Sequence, residues 1–233
     1  MQTIRPQYAS HAEQSVRVNS FIQSVYNWMA LGLGLTAVTA WFVASSPALI
    51  QIIYPIRWLL LIGELALVFI LAGRVHKMKA STATGMFLFY AALNGATLSI
   101  IFLVYTMQSI ASTFIVCAAT FAACSIYGMT TKKDLTSMGG FMMMGLIGII
   151  IATIVNIFLK SPAMAAIISY VGVLVFVGLT AYDTQKLKTM AATQPAGLDA
   201  GVIRKGAIMG ALTLYLDFIN LFIMLLQIMG GRD

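Results

Sequence analysis

Seven stretches of this 233-residue chain are apolar for close to a bilayer's thickness, at about 22–43, 57–74, 84–105, 110–128, 138–159, 164–188 and 206–229. A membrane-crossing helix needs about 20 such residues. In hydrocarbon each backbone polar group must be satisfied inside the protein, so only helices and closed barrels can span. These runs are continuously apolar rather than alternating, which excludes a barrel. The expected fold is all-α, a polytopic membrane protein forming a seven-transmembrane-helix bundle. A polar N-terminal segment (1–21) precedes a single domain (22–233). The chain is 60% hydrophobic and 9% charged, against about 25% charged in soluble proteins.

The charges that remain lie mostly between the runs. With the N-terminus inside, the cytoplasmic segments hold Arg5, Arg17, Arg74, Lys77, Lys79, Lys132, Lys133, Lys186, Lys188, Arg204 and Lys205. The opposite side holds Arg57, Lys160 and Arg232. Eleven against three sets the N-terminus in the cytoplasm and the C-terminus outside. This topology accounts for the net charge of +7, so no nucleic-acid partner is expected. The short segment 106–109 is the weak point of the helix count, because a re-entrant run there would bring the C-terminus inside. Residues 1–20 do not form a cleavable leader, and the first run is expected to serve as an uncleaved anchor.

Several residue types are read as packing. Cys117 and Cys124, seven apart on one run, would stand about 10.5 Å apart along a helix, too far for a disulfide. His11 and His76 show no metal-ligand spacing, and the methionines, including Met142–Met144, have no His or Cys partners. No resident cofactor is expected. Close helix contacts are expected at Gly32 and Gly34, Gly139 and Gly140, Gly145 and Gly148, and at the Gly206/Gly210 GxxxG.

Three carboxylates fall inside or at the edge of runs: Glu64, Asp183 and Asp217. An ionisable group at membrane depth costs roughly 2.5–3.5 kcal/mol on insertion scales and marks a functional-site candidate. The sixth and seventh runs form an antiparallel hairpin. Position 200 lies seventeen residues from both Asp183 and Asp217 and falls within the only Pro/Gly turn cluster between these runs. The two carboxylates can therefore face each other at one depth. Two such groups in a low-dielectric site cannot both ionise comfortably, and a shared proton would let the pair be buried. Losing that proton, or binding a cation, would change the force between the helices. The plainer alternative is that each aspartate bonds separately to neighbours such as Asn220, Thr180 or Tyr182. For Asn94, Asn156 and Asn220, interhelical hydrogen bonding is the expected role. Arg74 lies ten residues after Glu64, about 15 Å along a helix. It would not pair with Glu64, and snorkelling at the membrane edge is the composition-based reading.

The segments that carry these aspartates also carry a family resemblance. Ala-Tyr-Asp-Thr-Gln-Lys-Leu-Lys (181–188) and Gly-Ala-Leu-Thr-Leu-Tyr-Leu-Asp-Phe-Ile-Asn-Leu-Phe (210–222) resemble the Bax inhibitor-1 (transmembrane Bax inhibitor motif) family. The chain is similar to bacterial members over nearly its whole length, including 127–135 and 156–160. The resemblance implies a seven-helix bundle with the last helix central and a pH-sensitive calcium leak, located in a bacterial inner membrane. It implies that Asp183 and Asp217 act as pH sensor and gate and as tentative calcium ligands, that Arg74 latches the pair, and that Glu64 is a candidate pore or gate residue. Calcium and protons would be the species handled, and the lipid bilayer the surroundings.

Other functions compete with this reading. An intramembrane aspartyl protease also uses two aspartates, one of them after a tyrosine, as general acid and base. Its second motif is Gly-x-Gly-Asp, whereas this chain reads Leu214-Tyr-Leu-Asp, so no enzyme activity is expected. A non-transporting regulator of other membrane proteins, such as a membrane protease or a stress response, stays open. Ion selectivity, flux direction and oligomeric state are not encoded legibly.

Overall fold

A computed structural model describes residues 11–195 and 197–231. Arg5, Arg232 and Asp233, used above or near the termini, lie outside these residues. The elements are α1 (His11–Ala44), α2 (Pro47–Arg74), a 3-10 turn (Val75–Lys77), α3 (Ala80–Leu98), the single turn α4 (Ile101–Val104), α5 (Met107–Thr130), α6 (Thr136–Leu159), α7 (Pro162–Thr193) and α8 (Ala200–Met229). Seven helices are long and apolar enough to cross a membrane, the third span combining α3 and α4. No strand forms among the described residues. The expected all-α seven-helix fold is therefore present, with seven helices long and apolar enough to cross among the described residues.

Local chemistry sets the helix ends. Ser161 and Thr106 accept hydrogen bonds from the backbone N–H groups of Met164 and Ser109 and cap α7 and α5. Asp199 does the same for α8 through the Gly201 N–H at 2.7 Å. Pro47 and Pro162 occupy first-turn positions, where the missing N–H costs nothing.

The helices outrun the apolar stretches. α1 starts at His11 rather than 22, and α2 at Pro47 rather than 57. In α2, Arg57 is part of the helix, its guanidinium 4.2 Å from the centre of the Tyr54 ring. The aromatic face accommodates, inside the helix, a charge that hydropathy reads as a boundary.

α8 is the central column. It packs against α1, α3, α5 and α7, and is the most thoroughly buried of the spans. α2 leans on α3 and α1, while α6 packs substantially on α7 alone. The outward faces of α2 and α6 are rich in exposed Ile, Leu, Phe and Met, a surface suited to lipid. Aromatic edges tie α8 to its neighbours: Phe87 and Tyr90 against Tyr215, and Phe121 against Phe218.

Of each adjacent glycine pair expected to mediate close contact, one member does so. Gly32, Gly139 and Gly145 meet Phe87, Tyr182 and Val175, while Gly34, Gly140 and Gly148 have open space where a side chain would be. In the GxxxG pair it is Gly210 that lies tightly against Leu187 and Val25. The closest backbone approaches are at Gly95, against the carbonyl of Thr36, and Gly128, against that of Ala181. Neither belongs to a glycine cluster, so neither stands out in the sequence. Cys117 and Cys124 are free thiols, as their spacing implies.

Candidate functional site: an offset aspartate pair beneath a vestibule

Three contacts fix the register of the α7–α8 hairpin. The Ser169 hydroxyl donates to Gln227 at 2.6 Å, and each residue lies 29 positions from residue 198. Gly172 against Met224 and Leu187 against Gly210 give the same centre within a residue. The hairpin is thus centred near 198 rather than 200. Asp183 is level with Thr213, fifteen positions on either side of that centre, and Asp217 lies one helical turn deeper, about 6 Å. The expectation of equal depth is corrected to a one-turn stagger. Its cause is the turn, in which α7 continues to Thr193 while α8 starts at Ala200.

The stagger gives the two aspartates different surroundings. Asp183, with Thr213, lines a cavity of about 520 Å³ between α2, α7 and α8. His76, Lys186 and Lys205 also line it, together with Val75, Met190 and Met209. The side-chain charge acting on Asp183 is that of Lys186, three residues on along the same helix. Lys205 donates to the His76 carbonyl at 3.2 Å, joining the start of α8 to the 3-10 turn. Asp217 is 5% exposed. Its Oδ2 is buried without a hydrogen-bond partner, and the charge acting on it is that of Asp183. A buried carboxylate oxygen with no donor is rare in native proteins and calls for an explanation.

Among the described residues, neither Thr180 nor Asn220 is the separate partner that the plainer alternative expects. Thr180 donates to the Phe176 carbonyl and Asn220 to the Leu216 carbonyl, each within its own helix. Asn156 accepts from the Ser161 N–H across the α6–α7 turn, leaving Asn94 as the one of the three asparagines whose side chain bonds across helices.

Arg74 departs from its expected place. It is the last residue of α2 and is exposed. It does not line the vestibule, and no described residue forms an ion pair with it. The next residue, Val75, is buried and takes the inward position. The latch assigned to Arg74 is therefore not engaged in this conformation, and Lys186 is the cation beside the pair.

Glu64 sits in a contrasting site. It is 5% exposed and accepts hydrogen bonds from Thr97 Oγ1 at 2.5 Å and Asn94 Nδ2 at 3.1 Å. Asn94 Oδ1 faces the Tyr215 hydroxyl at 3.2 Å, and that hydroxyl is 2.7 Å from Thr36 Oγ1. One polar chain therefore crosses α2, α3, α8 and α1. Sequence reasoning marked Glu64 and Asn94 but missed their pairing, and it missed Thr97, Tyr215, Thr36, Lys186 and Thr213. One signal was available: Asn94 and Thr97 are three apart in an apolar run, hence on one helix face.

Among the described residues no cluster of three or more His, Cys, Asp or Glu is gathered. Calcium takes about six to eight oxygens, and the aspartate pair alone falls short of that.

These features define a class: a seven-helix membrane protein whose central last helix carries a buried carboxylate paired with one on the preceding helix. Residues 18–233 match the family model described as inhibitor of apoptosis-promoting Bax1. The chain belongs to the Bax inhibitor-1 family. It is 49% identical to the inner membrane protein YbhL of Escherichia coli over 230 residues, covering 97% of this chain and 98% of that protein. It is 44% identical to protein RP147 of Rickettsia prowazekii, covering 91% of this chain and 89% of the relative. A Deinococcus radiodurans protein is 41% identical, with 93% of each chain covered.

Proposed function

We propose that this protein is a pH-sensitive cation leak channel or exchanger of the inner membrane, with calcium as its cargo and the Asp183–Asp217 pair as its gate. The observation that carries this reading is the partnerless, buried Oδ2 of Asp217, one turn beneath an aspartate that lines an open vestibule. A carboxylate left without a donor in such a place is balanced by a proton or a cation. When the pair holds a proton, α7 and α8 can stay closely packed. When the proton leaves, Asp183 and Asp217 repel across the helix interface, and a cation entering past Asp183 can relieve that repulsion. Lys186 and Lys205 line the vestibule and oppose cation entry, which keeps the flux that of a leak. The vestibule is taken to open to the cytoplasm, as the loop charges imply.

The test is calcium flux through purified protein in liposomes loaded with a calcium dye, measured across a pH series. The expected result is a flux that changes with pH and loses that dependence in Asp217→Asn. No flux above empty liposomes, or a flux indifferent to both pH and Asp217→Asn, would overturn this reading in favour of a non-transporting regulator of other membrane proteins.

A further inference from the structure

The contacts of the Glu64 chain can be met by two opposite arrangements of their hydrogens. As a carboxylate, Glu64 accepts from both Thr97 and Asn94. With its amide nitrogen turned to Glu64, Asn94 presents Oδ1 to Tyr215, which must donate. Thr36 must then donate to Tyr215, since two hydroxyl oxygens 2.7 Å apart need one hydrogen between them. In each of these contacts the hydrogen points towards Glu64.

Adding one proton to Glu64 Oε2 reverses this direction. Thr97 still donates to Oε1. The new O–H needs an acceptor, and the Asn94 amide supplies one by rotating Oδ1 towards it. The amide nitrogen then donates to Tyr215, and Tyr215 donates to Thr36. Thr36 has a further acceptor within reach, the Ala91 carbonyl at 2.8 Å. Each contact in the chain again holds one hydrogen, now directed away from Glu64 in all but the Thr97 contact. We propose that Glu64 is a second proton-binding site, whose occupancy is relayed through Asn94 and Tyr215 to the central helix and on to Thr36 of α1.

The groups facing Glu64 suit this role. Tyr90 of α3 and Tyr215 of α8 are the titratable side chains whose interaction with its charge is felt. Thr36 is the α1 residue in the chain, and α1 brings no charged side chain into it. His76 and Lys77, on the 3-10 turn that also touches α2, are at least twelve residues along the chain from Glu64. The nearest charges on α2 itself are Arg57 and Arg74, seven and ten residues away. Among the described residues no cation neutralises the carboxylate, so protonation rather than ion pairing is the change open to it. The site is separate from the aspartate pair and stands whether or not the protein conducts.

Infrared difference spectroscopy of the full-length protein in liposomes, stepped from neutral to mildly acidic buffer, tests it. The expected spectrum gains a carboxylic-acid carbonyl band that is lost in Glu64→Gln, together with a tyrosine ring-mode shift lost in Tyr215→Phe. In Asn94→Leu the carboxylic band should persist while the tyrosine shift disappears. The chain has two glutamates, Glu13 and Glu64, so isotope-labelled glutamate and tyrosine in the unaltered protein give the same readout should a variant fail to fold. The absence of a glutamic-acid band would overturn the proposal. So would a glutamic-acid band with no tyrosine shift, because the proton would then be handed to Thr97 alone.

Discussion

Glu64 and Asp217 are each 5% exposed, yet the protein treats them in opposite ways. Glu64 is given two donors and a chain of hydroxyls that ends on the other side of the central helix. Asp217 is given another carboxylate and leaves one oxygen with no donor. A satisfied buried polar group rigidifies its surroundings. An unsatisfied one holds free energy that a proton or a cation can release. Equal burial therefore says little about role, and the donor inventory says more. Both groups act on α8, through Tyr215 and Asp217, which are two residues apart and so about 200° apart around the helix. One side of this column is pinned and the other is poised.

The largest effects should come from removing the carboxylates themselves. Glu64→Leu leaves Asn94 and Thr97 each without an acceptor, at about 1–3 kcal/mol apiece. Thermal unfolding in detergent should show a clearly lowered midpoint. If Glu64→Leu is as stable as the parent, the claim that this side is pinned fails. Asp217→Leu should move stability the other way, gaining about 1 kcal/mol by removing a polar group with no donor. A loss of similar size would mean that Oδ2 has a stabilising partner in the membrane.

Smaller effects separate the two cations near the poised side. Lys186→Met removes the positive charge beside Asp183. Flux should rise about two- to fivefold, equivalent to about 0.5–1 kcal/mol for a partly exposed charge, and the gain should shrink at high salt. Arg74→Ala should leave flux within about twofold of the parent, since a charge exposed to solvent contributes little. The reverse order in the flux assay would restore Arg74 as the latch. The smallest contrast concerns hydroxyls. Thr36→Val should cost about 1 kcal/mol, because it truncates the chain through Tyr215. Thr213→Val should cost less, because that hydroxyl bonds only to the Met209 carbonyl of its own helix. Unfolding midpoints of the two variants check this directly.

Hydropathy located all seven helices because burial in lipid leaves an unmistakable apolar signature. It misplaced their ends where polar residues continue a helix into the interface, as at His11–Phe21 and around Arg57. The aspartates stood out through their cost, and their pairing through the position of the turn between them. The one-turn stagger was hidden, because it depends on how far each helix runs into that turn. The partners of Glu64 were hidden more deeply. Asn94 and Tyr215 are 30 and 151 residues away along the chain, and only the packing of α2, α3 and α8 brings them together. In the sequence Tyr215 is one residue of the 210–222 segment, and nothing there points to a partner. Its own work is on the face of α8 opposite Asp217.

The length of α7 has a consequence for the kind of membrane this protein needs. Its 32 residues make a helix of about 48 Å, well beyond a hydrocarbon core of about 30 Å. Asp183 lies ten residues before the final residue of α7, so it is within reach of the boundary between acyl chains and headgroups. A bilayer a few Å thicker would draw hydrocarbon up around the vestibule, and a thinner one would let headgroups and water reach Asp183. If the aspartate pair gates as proposed, acyl-chain length, through hydrophobic mismatch, becomes a second setting on it.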